Sequence, residues 1–174
     1  MSCRSRYCRF YSRRSVLKKE QIGDFTRRIS QCNKGGLIVV MYDIFFTYTK
    51  DAQEALAAGD REAYKNGLRG AQRTLDELLG ALDFSYELAK DLYSIYVFCR
   101  NLLAKAMYKQ KPEEISQAVR LMETLYDAFR QVAEADKSAP LMQNAQQVYA
   151  GYTYGRDELV ETCRITDTGR GFLA

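Results

Sequence analysis

Four stretches of this chain repeat apolar residues at spacings of three and four, and this constrains the fold more than any other feature. The first is Leu37, Met41, Ile44, Tyr48, Ala52 and Ala55. The second is Tyr64, Leu68, Ala71, Leu75, Leu78 and Leu82. The third is Leu88, Leu92, Ile95, Cys99, Leu102 and Ala106, and the fourth is Ile115, Ala118, Met122, Leu125, Phe129 and Val132. Each lays an apolar stripe along one side of a helix for several turns. No strand-like alternation of comparable length competes. Proline, which would break such helices, occurs only at Pro112 and Pro140.

The breaks between the stretches are short and carry turn chemistry. Gly59 suits the left-handed position that ends a helix, and Asp60 can cap the next. Asp83 and Ser85 offer capping oxygens between the second and third stretches. Pro112 fits the first turn of the fourth helix, with Glu113 and Glu114 at its positive end. Asn33 is a suitable N-cap for the first long helix. Connections this short force successive helices antiparallel. The expected fold is therefore all-α, an antiparallel up-down four-helix bundle with a short N-terminal helix and an irregular C-terminal tail. The short helix is expected within residues 16–31 on Leu17, Ile22, Phe25 and Ile29, although Gly23 weakens it. Leu141 to Val148 is expected to add a helical turn. The chain divides into a basic, disordered leader over 1–15, a helical domain over 16–138 and an extension over 139–174.

Composition narrows the function. At 174 residues and 47% hydrophobic, the chain has enough material for one domain with a core. Histidine is absent, which removes the usual general base at neutral pH, the Glu-x-x-His pairs of di-iron bundles, and any Ser-His-Asp or Cys-His site. The five cysteines, Cys3, Cys8, Cys32, Cys99 and Cys163, are odd in number and contain no Cys-x-x-Cys. That argues against a disulfide framework or zinc site and for a reducing compartment. Cys99 falls on an apolar stripe and reads as a small core residue. The formal net charge of +4 hides an asymmetry. Residues 1–19 hold seven Arg and Lys and no acid, which leaves the rest of the chain at −3. The leader interleaves its arginines with Tyr7, Phe10 and Tyr11, a pattern able to bind phosphates and bases in principle; a plain tail is the preferred reading. No apolar segment is long enough to span a membrane, and no secretory signal opens the chain. Neither catalysis, a cofactor nor a metal is expected.

The apolar content exceeds what one bundle core needs, about three positions in seven on each helix. The first long helix adds Val39, Tyr42 and Phe46 beside its stripe, and the third adds Tyr93, Tyr96, Val97, Phe98 and Leu103. These residues either widen the core, pack under the N-terminal segment, or line a groove that a partner fills. Asp43 stands among them, placed for a local ion pair or for orienting a partner.

Specific residues carry a resemblance to a known family. Leu37 to Asp43 resembles the opening Leu-Tyr-Asp motif of FliS-type flagellar export chaperones. Gly59-Asp60, Ala71-Gln72, Leu75, Leu78, Leu82-Asp83, Ile95-Tyr96, Leu103, Ala106 and Asp127-Ala128-Phe129 follow in the family's order over about residues 29–133. Ile44 departs from the family's small residue after Tyr-Asp, Asn33-Lys34 from its Ser-Pro, and Phe129 from its Trp. The resemblance implies a cytoplasmic chaperone that holds the C-terminal helical segment of flagellin and prevents premature polymerisation. Tyr42, Asp43, Phe46, Tyr93 and Tyr96 would then line the client groove, with Ile22, Phe25 and Ile29 covering it when no client is bound. The alternative is a self-associating structural bundle or adaptor, a homodimer with no flagellin client. In a further reading, Tyr149, Tyr152, Tyr154 and Phe172-Leu173 of the tail fold back on the groove.

Overall fold

The computed structural model describes residues 17–142. The expected leader over 1–15, Cys3, Cys8 and Cys163, the helical turn beyond Met142 and the aromatic residues of the tail lie outside them. Within the described residues the chain is all helical, with no strand. It forms α1 (Lys19–Gln31), α2 (Lys34–Ala57), α3 (Arg61–Gly80), α4 (Leu88–Lys109) and α5 (Pro112–Ala135).

The links follow the side chains expected of them. The Asn33 carboxamide oxygen accepts from the Gly36 amide at 2.8 Å and starts α2. Gly59 takes φ +76°, and the next residue, Asp60, accepts from the amides of Glu62 and Ala63 to open α3. The Asp83 carboxylate accepts from the Ser85 amide at 2.9 Å and shapes the turn before α4. Pro112 occupies the first turn of α5. The link from α4 to α5 has no glycine. Gln110 takes the left-handed conformation there, at φ 54°, a placement that no local signal announced.

Helix α2 packs on α3 and α5, and α4 packs on the same two helices. Paired residues run in opposite senses along neighbouring helices. The buried Tyr64 hydroxyl, early in α3, donates to the Ala106 carbonyl near the end of α4 at 2.8 Å. Tyr42, early in α2, stacks against Phe129, late in α5. Helices α2 and α3 approach closely at two glycines. A Cβ added at Gly67 would lie 2.9 Å from the Ala52 Cβ, and one at Gly70 would lie 2.5 Å from the Tyr48 ring. Helix α1 packs on α2 alone among pairs with more than marginal contact.

The core takes Tyr64, Leu68, Ala71, Leu75 and Leu78 from α3 and Ile115, Ala118 and Met122 from α5, as their spacing requires. Cys99 is fully buried, in keeping with its reading as a small core residue. Helix α2 differs. Its buried set is Val40, Tyr42, Phe45, Thr49 and Ala52, whereas Leu37, Met41, Ile44 and Tyr48 of the expected stripe are only half-buried. The helix is therefore rotated from the expected register. Its apolar residues run nearly all round, so several faces satisfy the helical period equally well, and packing chooses among them.

Candidate functional site

The site begins with a short helix that has one apolar side. The Lys18 amide donates to the Gln21 side-chain oxygen at 2.8 Å, which closes the first turn of α1. Ile22, Phe25 and Ile29, spaced by three and four, are all half-buried. Arg28, one residue before Ile29, reaches α2 and forms an ion pair with Asp43. The Arg28 guanidinium also lies 5.9 Å from the centre of the Phe25 ring, within range of a cation–π attraction.

Beneath this ion pair lies an aromatic cluster built by α2 and α5. Phe46 meets the Tyr126 ring edge-on at 5.6 Å, Tyr42 meets Tyr126 at 6.1 Å, and Tyr42 lies 5.7 Å from Phe129. Such offset and edge contacts each add about 0.5–1.5 kcal/mol beyond area burial. Arg130 lies over the outer side of Tyr126 at 5.9 Å. Burial, followed by the neighbouring Asp43 carboxylate, pushes the Tyr126 phenol above its ordinary range. A cavity of about 500 Å³ runs between α1 and α2, lined by Phe25, Arg28, Asp43, Phe46, Lys50 and Asp51 among others. A second recess, of about 350 Å³, continues past Arg28 along Cys32, Val39, Arg130 and Ala133.

The structure separates the sequence-derived site residues into three groups. Asp43 and Phe46 line the α1–α2 cavity, together with Phe25 of the covering set. Tyr93 is 46% exposed on α4, where its ring meets Phe84 edge-on at 5.8 Å; it is not among the residues lining this cavity. Tyr42 and Tyr96 require a correction. They were expected as surplus residues lining a groove, but they are 0% and 2% exposed, and their hydroxyls meet at 2.7 Å inside the core. The rotation of α2 turns Tyr42 inward and leaves Phe46 towards α1, and α4 is shifted likewise, burying Ala89, Tyr96 and Leu103 where Leu88, Leu92 and Ile95 were expected. Arg28, Tyr126 and Arg130 were missed. Their roles depend on contacts between separate helices, which no local pattern in the sequence reports.

Large apolar side chains are also exposed on α4 and in the turn before it. Phe84, Tyr86, Leu88, Tyr93, Phe98 and Tyr108 are all exposed. Among the described residues no group of three or more Cys, Asp or Glu is placed to hold a metal ion, and no helix is long and apolar enough to cross a membrane. The chemistry on offer at the α1–α2 cavity is recognition: two aromatic side chains, Phe25 and Phe46, set among charged groups of both signs, with the Asp43 carboxylate held by the Arg28 guanidinium.

A family model described as flagellar protein FliS matches residues 19–136, more than half of the chain. The match begins on the first residue of α1 and ends on the residue that caps α5. It therefore includes the short helix that lies over the cavity. No curated protein matches the chain.

Proposed function

The chain belongs to the flagellar protein FliS family, and on that premise we propose that it is a cytoplasmic flagellar export chaperone that binds the C-terminal segment of flagellin. Binding would keep that segment from polymerising before export. We read the four long helices as an antiparallel up-down bundle that serves as the platform and performs no catalysis. One observation carries the proposal: α1 packs on α2 with its own apolar residues only half-buried, and leaves between the two helices a cavity lined by charged groups around Phe25 and Phe46. A helix that covers a cavity with so little contact can give way to another.

In this reading Asp43 and Phe46 face the client in the cavity, and Ile22, Phe25 and Ile29 cover it in the client's absence. Tyr93 contributes from the exposed surface of α4, which a long client segment reaches by wrapping around the bundle. Tyr42 and Tyr96 act from below, holding α2 and α4 in place. Ordering a flexible segment costs free energy, so a large interface is expected, on the order of 2,000 Å². Calorimetric titration of the chain with a peptide of the cognate flagellin C-terminus tests the proposal. Saturable binding supports it, and no binding at tens of micromolar peptide, about 50 µM, ends it.

The exposed Phe84 and Tyr93, whose rings meet edge-on, favour a second reading, in which two copies associate through this pair. Light scattering with and without the flagellin peptide separates the two. A stable dimer that ignores the peptide supports self-association.

A further inference from the structure

The corner between α1 and α2 is made of two residues, Cys32 and Asn33, both with extended backbone. The chain returns to this corner after α5. The Asn33 side-chain nitrogen donates to the Asp136 carbonyl at 2.9 Å, and the Leu141 amide donates to the Cys32 carbonyl at 3.0 Å. Between these two points the Asp136 carboxylate accepts from the Ser138 amide at 2.9 Å and from the Ser138 hydroxyl at 3.0 Å, which turns the chain. The Ser138 amide and hydroxyl, joined by the Gly35 amide in the first turn of α2, hold the Asp136 carboxyl below its ordinary range. Pro140 fixes its own backbone and favours an extended Ala139, so the Leu141 amide reaches the corner from a narrow set of conformations. Residues 137–141 lie beyond the span that the family model matches.

This segment is fastened only lightly. Residues 137–142 are all exposed, so hydrogen bonds at its ends hold it, with no buried side chain between them. Each such bond is worth little net, and a segment held this way opens far more often than a packed bundle. Its anchor points are those of the corner. Cys32 is the residue that caps the end of α1, and Asn33 is the residue that caps the start of α2. The Asn33 carboxamide serves twice. Its oxygen accepts from the Gly36 amide at 2.8 Å, and its nitrogen holds Asp136. An aspartate supplies the first bond equally well and has no donor for the second. Asparagine at this position thus carries a group that capping does not use.

We propose that residues 136–141 form a latch on the α1–α2 corner, with Asn33 as its catch, and that the closed latch restrains the motion of α1. The Arg28–Asp43 ion pair secures α1 through side chains; the latch secures it through the backbone at its end. When the latch opens, α1 pivots on the two-residue link while the packing of α2 on α3 and α5 stays intact. This inference goes beyond the client-binding reading and holds whatever the chain binds.

The test uses the full chain carrying Asn33→Asp, which keeps the capping oxygen and removes the donor. Amide exchange is followed residue by residue by NMR. The Leu141 amide and the amides of α1 are expected to exchange about ten-fold faster than in the unmodified chain, the effect of losing one hydrogen bond of ordinary strength. The Gly36 amide and the core segments around Leu68 and Met122 should keep their rates. A second variant, Pro140→Ala, leaves both ends of the latch intact and frees only the chain between them. It should speed the same amides by about two- to five-fold. The proposal is overturned if Asn33→Asp leaves the Leu141 amide unchanged, or if it frees Leu141 while α1 exchanges as before. Acceleration that extends to Gly36 and the core overturns it as well, because it reports a damaged cap.

Discussion

The hydroxyls of Tyr42 and Tyr96 meet at 2.7 Å in the buried interior, joining α2 to α4 across 54 residues of sequence. These two helices do not pack side by side; α3 and α5 flank them both. The pair is thus a polar link through the centre of the core. Burial, the dominant cause, pushes both phenols above their ordinary range.

Removing one hydroxyl of this pair strands the other. Tyr96→Phe is expected to cost about 1–3 kcal/mol, the penalty for a buried polar group without a partner. Tyr42→Phe should fall in the same range. The double variant Tyr42→Phe/Tyr96→Phe should cost less than the two singles together, because no orphaned hydroxyl remains. Urea unfolding of all four chains completes the cycle. Additive single effects would show that the hydroxyls do not interact.

The α2–α3 contact predicts opposite effects for glycines within one helix. Alanine is the better helix former by about 1 kcal/mol. At Gly67, however, the added carbon would meet the Ala52 Cβ and the Tyr48 carbonyl, and at Gly70 the root of the Tyr48 ring. Neither neighbour can easily give way, so Gly67→Ala and Gly70→Ala are expected to lower stability by about 1–3 kcal/mol. Gly80 has nothing within 4 Å, and Gly80→Ala should be neutral or stabilising by up to about 1 kcal/mol. Thermal melts of the three variants make the comparison.

Stability should fall on the alkaline side. Burial pushes the Cys99 thiol up to about 11 from an ordinary value of 9.0, and raises Tyr42, Tyr64 and Tyr96 as well. A group whose folded pKa is raised binds its proton more tightly in the folded state. Its stabilisation is complete below the unfolded pKa and is lost as pH rises through the folded one. For Cys99 the loss runs from about pH 9 to about pH 11, with a slope of at most about 1.4 kcal/mol per pH unit. Denaturant midpoints measured from pH 8 to pH 11 should decline, and Cys99→Ala should decline less steeply. Equal slopes would exclude Cys99 as a contributor.

Helix α1 should open before the rest. It packs on α2 alone among pairs with more than marginal contact, and its apolar residues are half-buried. Hydrogen exchange is therefore expected to be fastest for α1 amides and slowest for the segments around Leu68, Leu103 and Met122, which are fully buried. Asp43→Asn should speed α1 exchange and leave those core segments unchanged. Uniform acceleration along the chain would show instead that α1 opens only with global unfolding.

Local sequence pattern accounts for the helices, most of their ends and most of the core. The periods of α3 and α5, the caps at Asn33 and Asp60, and the glycine turn at Gly59 depend on contacts within a few residues, which local pattern reports directly. The motif order from Leu37 to Phe129 likewise led to the family to which the chain belongs. Packing between helices set the rotation of α2 and of α4, and with it which aromatic residues reach the cavity. Because α2 is apolar on most sides, its period does not choose a face, and the neighbours α1, α3 and α5 make that choice. Tyr42 turned to the core, Phe46 to the cavity, and Arg28 met Asp43 from another helix. Such contacts between separate helices depend on three-dimensional register, and a local period leaves that register open.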